Sequence, residues 1–217
     1  MCYKISVAKS RYPVPAGEVR VEDVIQRSRF IATLAPVESI DAAREFSARI
    51  TAEFPDATHN CSAFLIGEPG STAHIGLSDD GEPHGTAGRP MLNVLLTCGL
   101  GDLAVVVTRY FGGIKLGKGG LVRAYSGAVK LALEAVEHTE RISWRRLAVT
   151  LDYSHVEMIK RLYPEFEVQL DNEDFADVVR HEIRVPEEQA SALQVALTDR
   201  THGTAKIKNP DPGQPDD

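Results

Sequence analysis

LAVVVTRYFGGIKLGKGGLVR, residues 103–123, divides into three parts. Leu103–Tyr110 is crowded with β-branched residues that suit a pleated, buried strand. Residues 111–119 form a glycine-rich loop. From about Gly120 to Val136, Leu121, Tyr125, Ala128, Ala132 and Val136 recur at steps of three and four, so a helix follows with Lys130, Glu134 and Glu137 outside.

The loop is where chemistry is expected. Glycine permits positive φ and close approach of backbone N–H groups to a ligand, and a helix N-terminus favours an anion. Arg109, Lys115, Lys118 and Arg123 add four positive charges, and no acid interrupts from Leu103 to Leu133. Two standard phosphate fingerprints nearly fit and both fail. Gly112 to Lys118 reads G-x-x-x-x-G-K, but Gly119 stands where a P-loop needs Ser or Thr for magnesium. Gly117-x-Gly119 opens a dinucleotide pattern, but Val122 occupies its last glycine position. Two readings stay open: the glycines make a tight turn and pack the helix, or they cradle an anion or an RNA backbone.

A second stretch, Ser78 to Pro90 (SDDGEPHGTAGRP), holds Asp79, Asp80 and Glu82 within four residues. Such carboxylates can bind magnesium or share a proton. The plainer expectation is that an aspartate hydrogen-bonds its own turn, with Gly81, Gly85 and Gly88 supplying the bends. His59 and Cys61, two apart on a strand, share a face, the minimal geometry for a thiolate–imidazole pair. Their setting is apolar, so Cys61 is expected to be structural. His74 and His84 have no metal-ligand spacing.

Around these stretches the chain reads as strand (Arg29–Pro36), helix (Ser39 to Phe54, capped by Ser39) and strand (Asn60–Gly67). A loop, Glu68 to Gly88, and a helix from Pro90 follow. Residues 1–17 are expected to be an arm, 18–137 a first domain and 138–146 a linker or the start of a strand. Beyond them the order is strand (Leu147–Tyr153), helix (Val156–Tyr163), strands (Glu167–Leu170 and Ala176–Val185), helix (Glu187–Leu197) and strand (Ala205–Lys208). That β-α-β-β-α-β order makes 147–208 a small ferredoxin-like domain, and the fold class is α+β. Residues 209–217, NPDPGQPDD, have no apolar side chain and are expected to be disordered.

The 217 residues are 43% hydrophobic and 25% charged, with a net charge of −7. That acidity speaks against a general nucleic-acid coat or an anionic membrane surface, though a local basic site is allowed. The apolar runs fall far short of the ~20 residues that cross a bilayer. The start shows no sustained apolar stretch of the kind a secretory signal needs. Cys2, Cys61 and Cys98 make no paired spacing, which fits a reducing cytoplasm.

SDDGEPHGTAGRP and VVVTRYFGGIKLGKGGLVRAYSGA, in that order and preceded by RSRFIATLAPV, resemble the IMPACT/YigZ family over residues 18–136. Residues 147–208 are similar to its bacterial C-terminal domain in element order and length. The resemblance implies that the first domain folds like the second domain of ribosomal small-subunit protein five, shared with domain IV of elongation factor G. The second would look like that factor's domain V. Eukaryotic members regulate translation through an N-terminal RWD domain; here only a short arm precedes the first strand, which points away from that route. The family motif positions are Asp79, Asp80, Gly81, Glu82, Pro83, Gly85, Thr86, Ala87, Gly88, Arg109, Tyr110, Gly112, Gly113, Gly117, Gly119, Gly120, Arg123 and Tyr125, none with a catalytic role in the family. The resemblance therefore implies a cytoplasmic, non-catalytic module that binds RNA or the ribosome, with no cofactor and no metal. Arg109, Lys115, Lys118 and Arg123 would contact phosphates. The alternative is an enzyme on a nucleotide or other phosphorylated small molecule, with Asp79, Asp80 or Glu82 on magnesium. A protein partner on the C-terminal domain is a further expectation.

Overall fold

A computed structural model describes residues 10–209, so the N-terminal nine residues and the tail from 210 lie outside the described part. The chain divides into two compact units that meet between Arg141 and Ile142.

Unit 1 runs through β1 (Arg11–Pro15), β2 (Val19–Ile25), β3 (Ser28–Pro36), α1 (Ile40–Glu53), β4 (His59–Ile66), β5 (His74–Ser78), α2 (Gly88–Thr97), β6 (Leu103–Tyr110), α3 (Gly117–Ala135) and β7 (His138–Ile142). Five strands form a fully antiparallel sheet in the order β2-β3-β6-β4-β5. Helices cover both faces, which is why central strand β6 is apolar without alternation. Leu103, Val105 and Val107 pack in one cluster with α2 and α3, while Ala104 and Val106 belong to the cluster under α1. Arg109 continues the odd series and so enters the α2/α3 layer.

Four expectations need correction. The arm contains β1, which pairs with β7, and it runs into β2. β2 is an edge strand whose apolar residues are only half-buried, so its signal is weak. The 68–88 loop contains β5, a short edge strand whose two alternating apolar residues, Ile75 and Leu77, stay exposed. Residues 138–146, expected to be a linker or the start of a strand, hold a whole strand, β7, besides the opening of the next. Helix α3 starts at Gly117, a turn earlier than its apolar period, because Lys118, Gly119 and Gly120 carry no buried side chain to announce it. The Ser39 cap is present: its Oγ accepts from the Ala42 N–H at 3.1 Å.

Unit 2 contains β8 (Trp144–Leu151), α4 (Val156–Leu162), β9 (Gln169–Phe175), β10 (Val179–Pro186), α5 (Glu187–Arg200) and β11 (Lys206–Lys208). Its antiparallel sheet has the order β11-β8-β10-β9, the ferredoxin-like arrangement. Leu147, Val149, Leu151, Ile183 and Val185 face Ile159 of α4 and Leu193 and Leu197 of α5.

Candidate functional site

The two motif stretches meet. A cleft of about 430 Å³ is lined by His59, Glu82 and Pro83 together with Arg109, Phe111, Lys115 and Lys118. That volume lies in the range of small-molecule and single-residue binding clefts.

Glu82 organises the floor. It is 7% exposed, and its Oε1 accepts from Arg109 Nη1 at 2.5 Å and from the Tyr125 hydroxyl at 2.8 Å. Burial pushes the Tyr125 phenol up, and its neighbours Cys61 and Glu82 push the same way, so it stays a donor to Glu82. Arg109 is 5% exposed, and its guanidinium lies 5.4 Å from the Phe30 ring centre and 5.6 Å from that of Phe111. Its Nε is buried with no hydrogen-bond partner, an omission that costs on the order of 1–3 kcal/mol. Arg109 is therefore not one of a row of surface phosphate ligands: odd-numbered register on β6 takes it inside, where Glu82 neutralises it.

The other two acids are committed elsewhere. Asp79 Oδ1 accepts from the N–H groups of Ala87 and Gly88, and Oδ2 from that of Gly85, at 2.7–3.0 Å. Burial alone would raise the carboxyl; these three donors outweigh it and hold it below its ordinary range. Asp79 thus ties its own turn to the start of α2. Asp80 adopts φ +43°, and its Oδ2 accepts from the Asn60 N–H at 2.6 Å. Thr86 Oγ1 donates to the Pro83 carbonyl at 2.6 Å. Among the described residues no three His, Cys, Asp or Glu side chains are grouped as metal ligands.

His59 and Cys61 have separate partners. The thiol donates to the Asp79 carbonyl at 3.0 Å, and burial pushes it up to about 12. His59 Nδ1 lies 2.6 Å from the Asp80 carbonyl, which can only accept, so Nδ1 carries the proton. Nε2 lies 4.0 Å from Glu82 Oε2. Sequence spacing paired this histidine with the cysteine; the contribution of the 78–88 loop became visible only once β5 returned that loop to β4.

The glycine loop shows both kinds of glycine. A Cβ on Gly112 would stand 2.0 Å from the Arg27 carbonyl carbon, so Gly112 serves packing. Gly113 and Gly117 have φ of +85° and +71°, which explains them as turns. Gly119 has neither constraint: the nearest atom to its Cβ would be Arg123 Nη1 at 3.7 Å. Lys115, Lys118, Gly119 and Arg123 are all exposed, and the first turn of α3 holds no acid and no side-chain cap. Tyr110 is turned to other work, its hydroxyl donating to Asp56 at 2.8 Å with Arg29 over its ring.

Comparison with known proteins places these features. Residues 26–133 match the Impact N-terminal domain, and residues 149–204 match a domain of unknown function, DUF1949. The chain is 36% identical over 194 residues to the Escherichia coli IMPACT family member YigZ, covering 89% of this chain and 95% of that protein. It is 42% identical to the Bacillus subtilis IMPACT family member YvyE, covering 89% and 87%. A crystal structure described as that of a hypothetical protein superimposes with a TM-score of 0.66 at 35% identity, covering 93% of this chain and 98% of the other. With similarity spanning both units, the chain belongs to the IMPACT family.

Proposed function

We propose that unit 1 binds the phosphate backbone of RNA, free or in the ribosome, through Lys115, Lys118 and Arg123 at the start of α3, and that it acts in translation in the cytoplasm. One observation carries this reading: in a chain of net charge −7, these three exposed cations have no ion-pair partner among the described residues and flank uncapped helix N–H groups. Phosphate contacts of this kind position RNA without reading its sequence. The reading as an enzyme on a phosphorylated small molecule is not favoured, because Asp79, Asp80 and Glu82 already serve the loop and Arg109.

The test is ribosome and short-RNA binding across a salt series, comparing the full chain with a Lys115, Lys118, Arg123→Ala triple variant. Each lost contact lowers the single-strand salt slope by about 0.7, so a difference near two units is expected. Absence of binding at low salt would overturn the reading.

For unit 2, a partner on the sheet face is supported by a groove of about 550 Å³ over Ala148 and Thr150, edged by Arg180, Lys206 and Lys208. Those cations suit an acidic protein segment. Pull-downs with Arg180, Lys206 and Lys208 replaced by Glu would lose that partner; an unchanged set of partners would sink the idea.

A further inference from the structure

We infer that the cleft between the two loops seats one unpaired nucleobase of single-stranded RNA, whose phosphates lie on Lys115 and Lys118; this rests on the phosphate-binding reading above. Four observations converge. Phe111, 46% exposed, forms a wall of the cleft beside Pro83 and Leu116, and aromatic faces are the usual platform for an unstacked base. Arg109 lines the cleft next to Phe111, its guanidinium 5.6 Å from that ring's centre and its buried Nε without a partner. His59 adds a polar ring to the lining, held in place by the contact of its Nδ1 with the Asp80 carbonyl. The cations sit on the same rim, Lys115 and Lys118 both lining the cleft.

An aromatic wall, polar side chains in the lining and a cationic rim match a nucleotide: a flat apolar face, a hydrogen-bonding edge and a phosphate. A duplex offers its phosphates but keeps its bases stacked, so it satisfies the rim and leaves the cleft empty. Glu82 serves this seat indirectly, as the positioning residue that neutralises Arg109 and holds its plane.

The experiment measures binding of the full chain to a labelled short RNA strand, to the same strand made abasic and to its duplex, at one low salt concentration. The intact strand is expected to bind about tenfold more tightly than the abasic one, the order of one base–aromatic stack. Phe111→Ala should lose that advantage, weakening the intact strand about tenfold with no change for the abasic strand. Phe111→Trp should retain it and show fluorescence quenching on binding. Equal affinity for intact and abasic strands, or an intact strand indifferent to Phe111→Ala, would overturn the base seat while leaving the phosphate contacts standing. Failure of wild type to bind any of the three overturns both.

Discussion

Glu82 and Arg109 lie 27 positions apart in sequence and 2.5 Å apart in space, with 3% and 6% of their side chains exposed. One comes from an acidic turn, the other from the end of the most apolar strand. Their pairing brings the turn against the glycine loop, and it makes a buried charge on β6 tolerable. The hydroxyl of Tyr125 on α3 completes the join at 2.8 Å.

Removing one member of such a pair leaves an uncompensated buried charge, which costs about 3–5 kcal/mol. Glu82→Ala should therefore lower the denaturation midpoint sharply, whereas Tyr125→Phe, losing one hydrogen bond, should cost about 1–2 kcal/mol. Urea titrations of both variants check the ranking. A Glu82→Ala loss no larger than that of Tyr125→Phe would show the pair to be dispensable.

Asp79 is predicted to be a pH-sensitive fastener. Its folded-state carboxyl is held below the ordinary value of 3.8, so its contribution is complete above that value and is lost as pH falls through the lower, folded one. Asp79→Asn should cost about 1 kcal/mol near neutral pH, because three charge-assisted hydrogen bonds become at most neutral ones. The variant and wild type should then converge as the pH falls below 3.8 and through the folded value. Thermal melts across that range are the check, and a constant gap down to the lowest pH would contradict it.

Much of this was legible in the sequence, and the exceptions share a cause. β3, α1, β4, β6 and the β-α-β-β-α-β order of unit 2 announce themselves because buried faces impose a period on apolar residues. β2 and β5 were missed because they are sheet edges with little buried surface. The Asp79 turn was read correctly as hydrogen-bonding to itself, since Asx turns are local. Arg109 carries the charge expected of a phosphate ligand, but its odd-numbered place on β6 buries it against Glu82. The cleft itself was beyond reach: it forms where strand pairing brings together loops about thirty residues apart, and local pattern holds no trace of that distance.

His181 in unit 2 is fully buried, with the Tyr163 hydroxyl 2.7 Å from Nδ1 and Glu173 Oε1 3.0 Å from Nε2. A carboxylate only accepts, so Nε2 holds the proton and Nδ1 accepts from Tyr163. Lys160 occupies the other Glu173 oxygen at 2.7 Å. Burial depresses the imidazole below its ordinary 6.5, and the opposing pull of Glu173 does not restore it. A group whose folded-state value is lowered contributes stability that is present above the unfolded value and is lost as pH falls through the folded one. Unit 2 should accordingly begin to lose stability below about pH 6.5. Replacing His181 by Gln, which is not titratable, should flatten that slope even if it lowers overall stability. An identical slope in wild type and His181→Gln would assign the acid sensitivity elsewhere.

Gly119 separates the two readings of the glycine loop most cleanly. It is exposed and needs no positive φ, and a methyl group there would meet only Arg123 Nη1 at 3.7 Å. For folding, then, Gly119→Ala should be neutral or stabilising by about 0.4–1 kcal/mol, since alanine restricts the unfolded chain and suits a helix. For RNA the methyl would stand on the surface where a phosphate approaches the first N–H groups of α3, so affinity should fall several-fold. Gly112→Ala should behave oppositely in the first respect, destabilising strongly because its Cβ would lie 2.0 Å from the Arg27 backbone. Thermal melts and RNA titrations on the same protein samples give both readouts. If Gly119→Ala gains stability and loses RNA, the glycine is retained for its ligand at the expense of the helix. Gain of stability with undiminished RNA binding would mean that the phosphates are held by the side chains of Lys115, Lys118 and Arg123 alone, and that the backbone of α3 takes no part.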